Sequence, residues 1–109
     1  MSRITYNKLV RDKIPDIILQ DGHSCEISHL DNDEYMRELK SKLLEEAHEV
    51  QDAVSREHLV LELADVVEVL RAIASASEIP MEELEETRLS RARERGAFLG
   101  RIYLKYVDE

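Results

Sequence analysis

Apolar residues recur at spacings of three and four over most of the chain, and one short stretch alternates instead. Met36, Leu39, Leu43, Ala47, Val50 and Val54 form one apolar stripe, which predicts a helix from Asp31 to about Val54. Asp31, followed three residues later by Glu34, fits a capping box, and acids in the first turn suit the helix dipole. A short polar break, Ser55-Arg56-Glu57-His58, precedes a second helix expected from about Glu57 to Ser75. Its middle, LVLELADVVEVL, is apolar on most of its circumference, the mark of a helix covered on several sides. A chain of 109 residues has too little material to cover it, so a dimer or larger assembly is expected.

Pro80 restarts the chain near a helical first turn, and a third long helix follows with Met81, Leu84 and Leu89. That helix ends in Arg88, Arg91, Arg93 and Arg95, cations favoured at a C-terminus, with Gly96 as the stop. Pro15 and Gly22 bracket a shorter helix, Pro15 to Gln20, with Ile14, Ile17 and Ile18 as its apolar face. Ser24 to Leu30 alternates Cys25, Ile27 and His29 with Ser24, Glu26 and Ser28, a period of two that predicts a strand. Arg101 to Val107, rich in aromatic and branched residues, predicts a second strand able to pair with the first. The expected fold is mainly α: one domain, residues 1–109, an antiparallel helix hairpin or bundle with a small two-stranded β element, oligomeric. Internal repeats, low-complexity segments and interdomain linkers are lacking.

Composition sharpens this. Three glycines and two prolines favour helices over an all-β fold. A net charge of −9 argues against binding a nucleic-acid polymer, which needs a basic surface. Cys25 alone makes no internal disulfide, and no apolar run reaches transmembrane or secretory character, so the cytoplasm is expected and a membrane is not.

Two acidic clusters flank the polar break. Glu45, Glu46 and Glu49 share one face of the first long helix, and Glu62 and Asp65 are three apart on the next. A short connection makes the helices antiparallel neighbours and brings the clusters to similar height. Converging carboxylates repel and are costly to desolvate, which protonation or a bound cation relieves. An all-oxygen set selects hard ions, Mg²⁺ or Mn²⁺, over zinc. The pattern EExxE alone says little, because a chain with 24 acidic residues is expected to contain it about once by chance. Glu82, Glu83 and Glu86 repeat it with no ExxD to follow, in a first turn where acids are simply favourable. Glu62 and Asp65 carry more weight, since they interrupt the most apolar helix. With Glu68 they also fit a narrow solvated stripe, and spacing leaves both readings open.

With these residues on the page, the sequence resembles the MazG-like all-α nucleoside triphosphate pyrophosphohydrolases, and within them the phosphoribosyl-ATP pyrophosphohydrolase-like branch. That superfamily is marked by EExxE and, a helix-turn later, ExxD, here Glu45 to Glu49 and Glu62 to Asp65. The opening Tyr6 to Pro15, YNKLVRDKIP, looks like the N-terminal signature of the branch. Arg95-Gly96-Ala97-Phe98 resembles its RGGF-type ending, with Ala97 where a second glycine is common. The resemblance implies hydrolysis of a nucleoside triphosphate between the α and β phosphates, releasing a monophosphate and pyrophosphate. It implies Glu46, Glu49, Glu62 and Asp65 as Mg²⁺ ligands, and a homodimer or homotetramer. Glu45 would orient or deprotonate the attacking water, or hold a second metal.

Basic residues should supplement the metal on the phosphates. Lys8, Arg11 and Lys13 are candidates on the resemblance alone. Arg91 and Arg95 are candidates too, with pairing to the helix dipole and surface acids as the equal alternative. His48 reads as solvated, His29 as structural, Cys25 as a small buried hydrophobe, and Tyr103 and Tyr106 as packing of a terminal strand. Clearance of noncanonical nucleotides is the expected activity. Phosphoribosyl-ATP hydrolysis in histidine biosynthesis and a non-enzymatic helical interaction module are the alternatives.

Overall fold

The structure, a computed structural model, describes residues 2–109. Four helices follow one another: α1 (Ile14–Gln20), α2 (Asn32–Asp52), α3 (Arg56–Ala76) and α4 (Met81–Arg95). Each begins and ends where local chemistry dictates. Pro15 sits in the first turn of α1. At α2 the capping box is complete: the Glu34 amide donates to Asp31 Oδ1 at 2.8 Å, and the Asp31 amide to Glu34 Oε1 at 3.3 Å. The Glu34 amide is the main reason the Asp31 carboxyl lies below the usual carboxylate range. Ser55 caps α3 by accepting the His58 amide at 3.1 Å. Gly96, at φ +86°, ends α4 in a conformation that suits only glycine without strain.

α2 and α3 form the body of the fold. Ala53, Val54 and Ser55 join them, so the two helices run antiparallel and pack along their lengths. α4 touches α3 far less, and α1 packs on no other helix among the described residues. The core is small. Leu39 on α2 and Val69 and Ala74 on α3 are the buried apolar residues among those described. Met36, Leu43 and Val50 are half-buried, as the predicted stripe requires, but Ala47 and Val54 at its end are exposed. A straight helix turns 3.6 residues per turn and drifts off such a stripe, so Glu46 and Ala53 take the inward places.

One expectation is corrected. Ser24 to Leu30 and Arg101 to Val107 form no strand; both are irregular and exposed throughout. Alternation specifies a strand only where a neighbouring backbone completes the ladder and a layer receives the apolar face, and within one chain neither segment has either. For the same reason Cys25 is exposed rather than buried, and Tyr103 and Tyr106 pack on nothing. On α3, as expected, the chain has too little material to cover the apolar helix: α2 packs along one side and α4 touches it lightly. Val60, Leu61, Leu63, Val67 and Leu70 face outward.

The molecule is accordingly extended. Its Cα radius of gyration is 18.7 Å, where a compact chain of this length has about 13 Å. Its accessible surface is 10429 Å², against roughly 6,200 Å² for a compact monomer of this mass. No helix among the described residues is long and apolar enough to cross a membrane.

Candidate metal centre

The hairpin brings the two acidic clusters together by symmetry about its turn. Glu46 stands eight residues before Val54 and Glu62 eight after it. Both therefore lie about 12 Å along their helices from the turn, at the same height. Asp65 adds one more turn on α3. The result is a group of three half-buried carboxylates, Glu46, Glu62 and Asp65, whose nearest oxygens all lie within 4.8 Å of one another.

Charge in this group is only partly offset. Burial, then the neighbouring charge of Asp65, pushes the Glu46 carboxyl above the usual range, with Glu45 and Glu62 adding to the repulsion. Lys42 Nζ opposes this from 3.9 Å, one turn back on α2, and also reaches Glu45 at 3.5 Å. The Glu62 carboxylate meets His58 Nε2 at 3.1 Å, four residues back on α3. The residues before α1 cross the mouth of the group. Lys8 Nζ donates to Glu45 at 3.2 Å and Arg11 Nη2 to Asp65 at 2.7 Å, so one irregular segment is tied to both helices. Asn7, at φ +46°, makes the left-handed turn that precedes Lys8, and asparagine tolerates that conformation better than most residues. The Lys8 bond is the main reason the Glu45 carboxyl lies below the usual range, with Lys42 contributing.

The predicted residues divide accordingly. Glu46, Glu62 and Asp65 converge, and Glu45 stands beside them as a carboxylate held ionised by two lysines. Glu49 is exposed and lies outside the group of three, because the rotation of α2 that turns Glu46 inward turns Glu49 toward solvent. Lys8 and Arg11 reach the acids. Lys13 caps α1 and is exposed, and Arg91 and Arg95 are exposed on the last turns of α4; none of the three makes an ion pair among the described residues. The decoy acids Glu82, Glu83 and Glu86 gather no such group among the described residues.

Two participants were missed from sequence. Lys42 and His58 stand at the i,i+3 and i,i+4 spacings that put a cation over an acid on the same helix, a signal present in the sequence. An open cleft of about 540 Å³ lies further along the hairpin, away from the turn; Asp12, Tyr35, Glu68, Arg71 and Met81 are among its walls, and none of the three acids is. Glu68 is one turn on from Asp65, and Asp12 follows Arg11.

No family model, curated protein or solved structure matches the chain. The site is therefore judged on its own chemistry. Three converging carboxylates, all hard oxygen donors on two rigid helices and one of them pushed toward protonation, fit a hard divalent cation. They do not fit zinc, which prefers nitrogen and sulfur donors.

Proposed function

We propose that the chain is a Mg²⁺-dependent nucleoside triphosphate pyrophosphohydrolase of the MazG-like kind, cleaving between the α and β phosphates to give a monophosphate and pyrophosphate. The observation that carries this reading is the convergence of Glu46, Glu62 and Asp65 from the two helices of the hairpin. These three would hold Mg²⁺, or Mn²⁺ in its place, with Glu49 reaching it from the outer side of α2. Bound there, the ion supplies charge neutralisation to the polyphosphate and acidity to a water molecule.

The chain's own residues do the rest. Glu45, kept ionised by Lys8 and Lys42, is suited to accept a proton from the attacking water. Lys8 and Arg11 already stand at the mouth of the acidic group on a segment outside any helix. A triphosphate arriving there offers them oxygens in place of carboxylates, and Arg11 brings the fork geometry that matches a phosphate. Catalysis in this chemistry is mostly positioning and electrostatic stabilisation, which such a set of groups provides. The open cleft that begins a turn beyond Asp65, at Glu68, would give the nucleoside a place to lie, with Tyr35 and Arg71 as groups able to stack or pair with it.

The reading includes a homodimer or homotetramer, because the exposed apolar face of α3 is larger than a monomer in water tolerates. It also includes a cytoplasmic setting, where nucleoside triphosphates are found. The ion pairs of Lys8 and Arg11 favour one competing reading: a self-neutralised acidic patch that fastens the N-terminal segment in a non-enzymatic helical module. A panel of standard and damaged nucleoside triphosphates together with phosphoribosyl-ATP, assayed for pyrophosphate with Mg²⁺, separates these. Release from nucleoside triphosphates is expected. Preference for phosphoribosyl-ATP would move the protein to histidine biosynthesis, and silence across the panel, with no Mg²⁺ binding by calorimetry, would favour the module.

A further inference from the structure

The two stretches with strand-forming sequence are the two that lie unpaired in the structure. Residues 24–30 and 102–109 share in no backbone hydrogen bond among the described residues, and all are exposed. The side chains left in water include Ile27 at 57%, Ile102 at 90% and Tyr106 at 76% exposure. Strand-forming composition with open backbone groups is a template for pairing with another chain.

The two segments complement each other in one antiparallel register. With Cys25 set opposite Tyr106, Ile27 falls opposite Leu104 and His29 opposite Ile102, all on one face. On the other face Glu26 falls opposite Lys105, an acid against a base, with Ser24 opposite Val107 and Ser28 opposite Tyr103. Shifting by one residue destroys this match, since every side chain changes face. An antiparallel pair can leave one face in water, which suits Ser24, Glu26, Ser28 and Lys105 on the second face. Arg101, at φ +57°, breaks the run just before Ile102 and sets where pairing begins.

We propose that Ser24–Leu30 of one copy of this chain pairs antiparallel with Ile102–Val107 of a second copy, with Cys25 opposite Tyr106. The occupant is a second copy because each segment's complement is carried by the same chain, yet the two do not meet within it. A two-fold axis then satisfies both segments in both copies. The area agrees: the surface in excess of a compact monomer is roughly 4,000 Å² per chain, several times the half-interface of an ordinary complex, about 800 Å². The two segments, exposed along their whole length, contribute to that excess. The proposal extends the homo-oligomer part of the reading above and is independent of hydrolysis.

The test uses the single native cysteine as its probe. In the full chain, Tyr106→Cys is oxidised with copper–phenanthroline, and the products are run on a non-reducing gel and mapped by mass spectrometry. An equal mixture of ¹⁴N- and ¹⁵N-labelled chains marks each disulfide as within or between copies. A mixed-isotope disulfide joining position 25 to position 106 is expected, at a yield at least severalfold above that of Lys105→Cys, whose side chain takes the opposite face. Failure to link, equal linking at 105 and 106, or a link confined to one chain would overturn the pairing. Hydrogen exchange guards against a misfolded variant: in the unaltered chain both segments are expected to be protected, and ending the chain after Gly96 should expose residues 24–30. Unprotected segments in the unaltered chain overturn the proposal. A dimer without the link or the protection overturns the pairing and leaves the oligomer standing; a monomer in solution overturns both.

Discussion

Neutralising Glu46 should invert the response of this protein to Mg²⁺. Glu46 is the most enclosed of the three converging acids, with a side chain 13% exposed and a carboxyl pushed above its usual range by burial and by Asp65. Two like charges at 4.8 Å repel by about 3 kcal/mol at an effective dielectric of 20. Lys42, at 3.9 Å, offsets about 4 kcal/mol on the same footing, less than the repulsion from Glu62 and Asp65 together, so a net penalty on the ionised form remains. Glu46→Gln keeps the shape and removes the penalty, so without metal it should melt higher than the parent, by about 4–8 °C for each kcal/mol relieved. With Mg²⁺ at a hundred times its Kd, the parent gains about 2.7 kcal/mol and the variant gains little, and the order reverses. The pH dependence follows from the sign of the shift. A carboxyl whose folded pKa is raised destabilises the fold as pH rises through that value, so the variant's advantage exists at neutral pH and fades in acid, where Glu46 is protonated in both states. Thermal melts in EDTA and in Mg²⁺, at neutral and acidic pH, read all of this. A variant less stable than the parent in EDTA, or equally responsive to Mg²⁺, would refute the reasoning.

Other consequences follow from single contacts. Lys8→Ala and Arg11→Ala break exposed ion pairs and should each cost under about 1 kcal/mol of stability, while raising KM for the nucleotide at least severalfold in steady-state assays. Lys8→Ala should also return the Glu45 carboxyl toward its ordinary range, measurable by NMR titration. Ser55→Ala removes the cap of α3 and should lower stability by about 1 kcal/mol, with faster amide exchange in the first turn of α3. Leu39→Ala empties the centre of a very small core and should cost 2–5 kcal/mol in denaturant unfolding, on the order of typical buried leucines. Replacing Glu82, Glu83 and Glu86 together by Gln should leave pyrophosphate release unchanged, because these acids gather no group.

Much of the fold was legible because its signals are local. The capping box at Asp31 and Glu34, Ser55 ahead of α3 and Gly96 after α4 all act within a turn of the residues they stop or start, so helix limits agree to within a residue or two. The acidic group was legible for a related reason: two motifs equally distant from a short turn meet at one height whatever the packing details. Three things were not. The face Glu49 takes depends on a rotation of α2 about its axis that spacing leaves open by about one residue. The fates of Lys13, Arg91 and Arg95 depend on where α1 and α4 stand relative to the hairpin, a long-range matter that helical periodicity does not encode. The two strands failed because strand-forming sequence announces a wish for a partner without saying which chain provides it.

The central claim is tested most directly by ³¹P NMR of a nucleoside triphosphate incubated with the full chain and Mg²⁺, beside Asp65→Asn with its helical circular dichroism intact. The account predicts monophosphate and pyrophosphate signals from the parent and an unchanged triphosphate from the variant. A diphosphate with inorganic phosphate, no turnover by the parent, or equal turnover by the variant would contradict it.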